Sequence, residues 1–193
     1  MKNNVLLSLY KRPETVFTLG EIALMFPEIS RENLKERMSY FAAQGAIGKV
    51  RKGIYVKDNY DPNELANKLY SPSYVSLETV LLKEGIIFQY SETIFLVSYL
   101  SRQLIVDNHN FVYKKIKDEV LFNHQGIEKV KEAEVASKER AFLDTIFLYK
   151  NYYFDNLGSL DWEKIMSLKE IYASRIFNQR VNDYYRIYKE EHV

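Results

Sequence analysis

The sequence predicts an α+β fold, and three observations carry that reading. Apolar residues recur at helical spacing in short segments up to about residue 45. Between residues 93 and 135, Val, Ile, Phe and Tyr gather in short runs separated by turn residues. Helical periodicity then returns after Ser137. With 47% hydrophobic and 15% aromatic residues, the 193-residue chain has bulk for one large domain or two small ones, and seven Gly with four Pro are too few for a disordered or fibrous chain.

Val5, Leu6 and Leu9 form a short amphipathic helix that Pro13 prevents from continuing. Thr15-Val16-Phe17 has the character of a brief strand. Thr18 opens a capping-box spacing to Glu21, and Leu19, Ile22, Ala23 and Phe26 make one buried stripe of a second helix that Pro27 closes. Ser30 is a good N-cap for a third helix, in which Leu34, Met38, Phe41 and Ala42 repeat the apolar spacing and Gly45 marks the end. Residues 46–56 read as a β-hairpin with Gly53 at a position needing positive φ. Helix, strand, helix, turn, helix and hairpin in this order predict a winged helix-turn-helix over residues 1–60. A winged unit used for protein contacts is the alternative.

Asp61-Pro62 supplies a cap and a first helical position, and marks the boundary to a second unit, residues 61–193. Leu65, Ala66 and Leu69 continue a helix that Pro72 interrupts, and a further helix is predicted from about Tyr74 to Glu84. Strands are predicted at 93–99, 103–107, 111–116, 119–122 and 132–135, forming a small, mainly antiparallel sheet. Ser137 caps a helix from Lys138 to about Tyr149, with helices near 162–166 and 168–188 after it. Arg140 and Asp144 stand one turn apart in an almost wholly apolar helix. They are read as a buried ion pair in preference to a functional site, because buried charges are normally paired.

Charge is unevenly divided. Residues 1–60 carry ten Lys and Arg against six Asp and Glu, a net of +4, whereas residues 61–193 carry seventeen against twenty, a net of −3. A basic segment on a mildly acidic remainder suits a DNA-binding module with a separate partner domain. On the third helix Asn33, Arg37 and Tyr40 line one outward flank, and Lys35 and Ser39 the other. Arg and Asn offer two-point patterns to guanine and adenine edges. Ser30 and Arg31 begin the same helix, and Lys49, Arg51 and Lys52 on the hairpin suit phosphate anchoring or minor-groove insertion. Glu32 and Glu36 also face outward, as solvated residues or as acceptors from cytosine.

Other chemistry is sparse. The absence of cysteine excludes disulfides, thiolate metal sites and a thiol nucleophile. There is no phosphate-cradling glycine loop, and His109, His124 and His192 have no metal-ligand spacing to one another. No catalytic residues, cofactor or metal are therefore expected. The residues before Lys11 are too few and too polar for a secretory leader, and apolar runs such as 94–97 are far below the ~18 residues of a membrane span. The expectation is a cytoplasmic protein without membrane contact.

Three stretches carry a resemblance: Arg51-Lys-Gly-Ile-Tyr-Val56; Ser71-Pro-Ser-Tyr-Val-Ser-Leu-Glu-Thr-Val-Leu81, followed by Gly85; and Ala136-Ser-Lys-Glu-Arg-Ala-Phe-Leu-Asp144. In order and spacing the chain resembles the AbiEi-type antitoxins of type IV toxin–antitoxin systems and their transcriptional-regulator relatives. The resemblance implies a wing domain that binds operator DNA and represses its own operon. It also implies a C-terminal domain that counters a nucleotidyltransferase-like toxin encoded alongside. The family positions matched are Ser76, Gly85, Glu139, Arg140 and Asp144. The stretch Leu82-Lys83-Glu84-Gly85 lacks the His that many relatives place just before that glycine. The family includes stand-alone regulators, so antitoxin action follows less directly than DNA binding.

Overall fold

The computed structural model describes residues 4–191; Met1–Asn3 and His192–Val193, which entered the leader and histidine arguments above, lie outside the described residues. Among the described residues the fold is mixed α+β, with nine α-helices and sheets of three and six strands.

The first sixty residues run α1 (Val5–Tyr10), β1 (Val16–Thr18), α2 (Leu19–Met25), α3 (Arg31–Ala43), β2 (Gly48–Arg51) and β3 (Ile54–Val56). Local chemistry sets the boundaries. Thr18 and Glu21 close the capping box in both directions, and the Ser30 hydroxyl accepts from the Asn33 amide at 3.3 Å. Gly53 turns the hairpin at φ +77°, and its carbonyl accepts from the Leu19 amide at 2.8 Å, tying the turn to the start of α2.

The three strands pair antiparallel in the order β1-β3-β2. Strand alternation divides their side chains between two cores. Phe17 and Tyr55 face α1, α2 and α3, where Val5, Leu9, Ile22, Leu34, Met38 and Ile47 close a small core. Val16, Ile54 and Val56 face the other way, into the main core.

The rest of the chain runs α4 (Pro62–Leu69), β4 (Ser73–Val75), α5 (Leu77–Lys83), β5 (Ile94–Ser98), β6 (Arg102–Val106), β7 (His109–Lys115), α6 (Asp118–Leu121), β8 (Ile127–Val130), β9 (Ala133–Ala136), α7 (Lys138–Leu148), α8 (Trp162–Leu168) and α9 (Arg175–Glu191). Strand order is β6-β7-β5-β4-β9-β8. Three pairs are antiparallel, while β4–β9 and β5–β7 are parallel, so the sheet is mixed and larger than expected. One cross-strand row, Tyr113–Leu96–Val75–Val135, faces α4, and the Tyr113 hydroxyl donates to the Ala66 carbonyl at 2.7 Å. The neighbouring row, Lys114–Val97–Tyr74, faces α7.

Three local expectations need correction. Residues 119–122, expected as a strand, lie in α6 and the turn after it: Asp118 and Glu119 occupy the first helical turn, where carboxylates favour a helix, and Val120 and Leu121 are buried side by side. The helix expected from Tyr74 begins only at Leu77, because Ser73–Val75 pair on both edges as a sheet strand. The helix expected over 168–188 is broken by a 3-10 turn, Lys169–Tyr172, ending in left-handed Ala173 before α9 begins. Strand β8 was not expected at all.

The two parts of the chain meet along a continuous seam. Glu64 of α4 is fully buried, and one of its oxygens accepts from both the Thr15 amide, at 2.8 Å, and the Thr15 hydroxyl, at 2.6 Å. Lys68, one turn later, donates to the Val16 carbonyl at 2.6 Å and pairs with Glu64 at 3.2 Å and with Glu21 at 3.0 Å. Asp61 caps α4 through the Asn63 amide while its own amide donates to the Thr15 hydroxyl.

Candidate nucleic-acid interface and the buried charged cluster

The first turn of α2, the first half of α3 and the β2–β3 turn enclose an open groove of about 550 Å³. Arg31 and Lys35 line it from α3, and Lys49 and Lys52 from the hairpin; Glu32 is the single acidic residue on its wall. All four cations are exposed, and among the described residues no ion pair involves any of them. Leu34 and Met38, buried against the small core, fix the rotation of α3 that turns Arg31 and Lys35 toward the hairpin. Four unneutralised cations around one groove attract a polyanion.

The remaining residues singled out from the sequence are placed differently. Asn33, Arg37 and Tyr40 are exposed on the flank of α3 away from the hairpin, as their spacing from Leu34 and Met38 requires. Glu32 and Glu36 occupy the crown between the two flanks. Ser30 is committed to capping α3. Arg51 leaves the groove altogether. A shift in β2–β3 pairing between Lys49 and Arg51 breaks the alternation, and its guanidinium lies over the Tyr70 ring, 5.7 Å from the centroid.

Of the five positions singled out through the resemblance, three converge. Arg140 and Asp144 are fully buried and pair at 3.4 Å across one turn of α7. Asp144 accepts on one oxygen from the hydroxyls of Tyr172, at 2.6 Å, and Tyr74, at 3.2 Å; its other oxygen accepts from Ser76, at 2.8 Å. The Arg140 guanidinium donates to the carbonyls of Val120, at 2.7 Å, Gln125, at 2.8 Å, and Asn123, at 3.3 Å, and lies over the rings of Tyr74 and Tyr172. Gly126, at φ +74°, lets the chain pass α7, since a Cβ there would stand 3.0 Å from the Arg140 Cβ.

Burial pushes the Asp144 carboxyl up, against the opposing pull of Arg140 and the three hydroxyls. Burial opposes the Arg140 charge too, but Asp144, Tyr172 and Tyr74 outweigh it and hold the guanidinium above its ordinary range. Every polar atom of the cluster is used, and Tyr74, Ser76 and Asp144 have no accessible surface left for a ligand to speak of. This arrangement ties α7 to β4, to α6 and its following loop, and to Tyr172.

Glu139 sits apart from the cluster. Only 2% exposed, it pairs with Lys164 of α8 at 3.0 Å, beside a cavity of about 500 Å³ at the start of α7. Gly85 follows α5 at φ +68° and touches none of these groups. Tyr74 and Tyr172 were missed in the sequence. They lie 70 and 28 residues from Asp144, with no spacing to connect them.

Among the described residues no group of three or more His, Asp and Glu is arranged to hold a metal ion, and no helix is long and apolar enough to cross a membrane. No family model and no curated protein matches the chain.

Proposed function

We propose that this chain is a DNA-binding transcriptional regulator whose first sixty residues form a winged helix-turn-helix, with β2–β3 as the wing. The single observation that supports it most is the groove between α3 and the hairpin, where Arg31, Lys35, Lys49 and Lys52 stand exposed without carboxylate partners. The acidic crown of α3, Glu32 and Glu36, shapes the reading. Phosphates are gripped on the hairpin side of the helix, and Asn33 and Arg37 on the other flank are left to meet base edges.

The test is binding of the full chain to a duplex from its own promoter region, followed by fluorescence anisotropy across a salt series. Lys49→Ala with Lys52→Ala is expected to weaken binding to every duplex and to flatten the salt dependence by about 1.8, at ~0.9 per phosphate contact. No measurable binding by the parent at 50 mM salt, or an unchanged slope in the double variant, overturns the proposal.

The resemblance to AbiEi-type antitoxins extends the reading to repression of the chain's own operon and to neutralisation of a nucleotidyltransferase-like toxin. That activity is assigned to residues 61–193. Arg140, Asp144 and Ser76 would serve it by holding the fold, given their burial. Co-expression of the full chain with a neighbouring toxin gene tests it: rescued growth is expected, and unrelieved toxicity overturns the antitoxin part alone.

A further inference from the structure

We propose that Arg51 and Arg102 form a second phosphate-binding site on the opposite side of the hairpin from the groove, so that the hairpin straddles the two backbones that flank one duplex groove. This rests on the DNA-binding reading above and adds the larger sheet to the interface.

The two guanidiniums come from different parts of the fold. Arg51 ends β2, whereas Arg102 begins β6, the outermost strand of the six-stranded sheet. Both lie against one ring, at 5.7 and 5.5 Å from the Tyr70 centroid. Tyr70 follows α4 directly and is itself held edge-on to Tyr113, with ring centroids 5.0 Å apart. Arg102 stands opposite Tyr113 in the β6–β7 register, so it projects on the face of the sheet that carries α4.

Both arginines are exposed, and among the described residues neither is ion-paired. Two like charges held against one aromatic ring repel each other unless an anion lies between or across them. Each guanidinium is held close to the Tyr70 ring without a carboxylate partner, and an arginine so placed can bind a phosphodiester at two points.

Continuity with the groove selects nucleic acid over an acidic peptide. Arg51 adjoins Lys52 in the chain, yet Lys52 lines the groove and Arg51 turns to Tyr70. The hairpin therefore carries unpaired cations on both of its sides. A duplex groove presents a row of phosphates along each rim, matching that arrangement, whereas a single strand presents one row.

Arg102→Gln in the full chain tests the assignment, because residue 102 lies in neither α3 nor the hairpin. Expected are an unchanged thermal midpoint and a salt slope on promoter duplex reduced by about 0.9. On a single strand of the same length the slope stays that of the parent. If parent and variant bind duplex with the same slope, this second site is wrong and the DNA-binding reading survives. If the parent binds no duplex, that reading fails and the second site falls with it. Unchanged DNA binding together with lost binding to a poly-glutamate probe overturns the assignment in favour of an acidic peptide.

Discussion

The molecule handles positive charge in two opposite ways. At the α3–hairpin groove, four cations stand in solvent beside one carboxylate, Glu32, and among the described residues none of the four is ion-paired. In the cluster on α7, one cation is fully buried and meets a carboxylate, a tyrosine hydroxyl and three backbone carbonyls. An exposed lysine is well hydrated and costs the fold little, so it can be kept ready for an external anion. A buried arginine has lost its water and must be satisfied from within. The same residue class therefore stands available to an external anion in one place and serves as a structural fastening in the other, and burial decides which.

The sharpest way to break this contrast is to remove one buried partner. Asp144→Ala or Arg140→Ala leaves a charge stranded, at about 3–5 kcal/mol, a loss visible as a lowered midpoint in denaturant melts. A double-mutant cycle is expected to return strong coupling between the two. Losses within about 0.5 kcal/mol would mean that the pair is not a fastening.

A middle-sized effect separates the two flanks of α3. Arg37→Ala or Asn33→Ala should cost ~1–3 kcal/mol at the preferred DNA sequence and little on unrelated duplexes, as loss of a two-point base contact does. Competition binding with shuffled duplexes measures this. Equal weakening on all sequences would place that flank with the phosphate contacts instead.

The smallest effect concerns a charge that is neither free nor fully paired. Burial raises the Glu78 carboxyl, and one of its oxygens has no hydrogen-bond partner. A carboxyl raised on folding contributes stability that is present below the unfolded value, near 4.3, and is lost as pH rises through the folded one. Glu78→Gln is therefore expected to gain stability over the parent at pH 7 and to lose that advantage toward pH 4. Paired melts at the two pH values check the sign, and an advantage that grows on acidification contradicts it.

What the sequence revealed depended on distance along the chain. The Thr18–Glu21 box, the Ser30 cap, the Gly53 turn and the Arg140–Asp144 pair each join residues no more than four apart, where helix and turn geometry fix the outcome. The hydroxyls that complete the cluster come from β4, from Ser76 just after it and from the 3-10 turn before α9, and no local rule brings them to Asp144. The same holds for Arg51 and Arg102, joined only through Tyr70. Secondary structure was misread where short apolar runs fit both periods, as at Val120-Leu121. It was also misread at Ser73–Val75, where a strand passes directly into a helix at Leu77 through an unusual φ of +56°. Among the cations of the hairpin, Arg51 lies outside the groove because of a pairing shift that its neighbours do not announce.

Glu64 also bears on orientation: it accepts from Thr15 while Lys68 holds Val16 and Glu21, fastening the small sheet to the helix that packs on the large one. If the proposed contacts hold, the separation between the groove and the Arg51–Arg102 pair works as a ruler, and a ruler accepts one helical phase of its template. The bases read by Asn33 and Arg37 and the spacing between contacted phosphates are then two separate demands on a bound site.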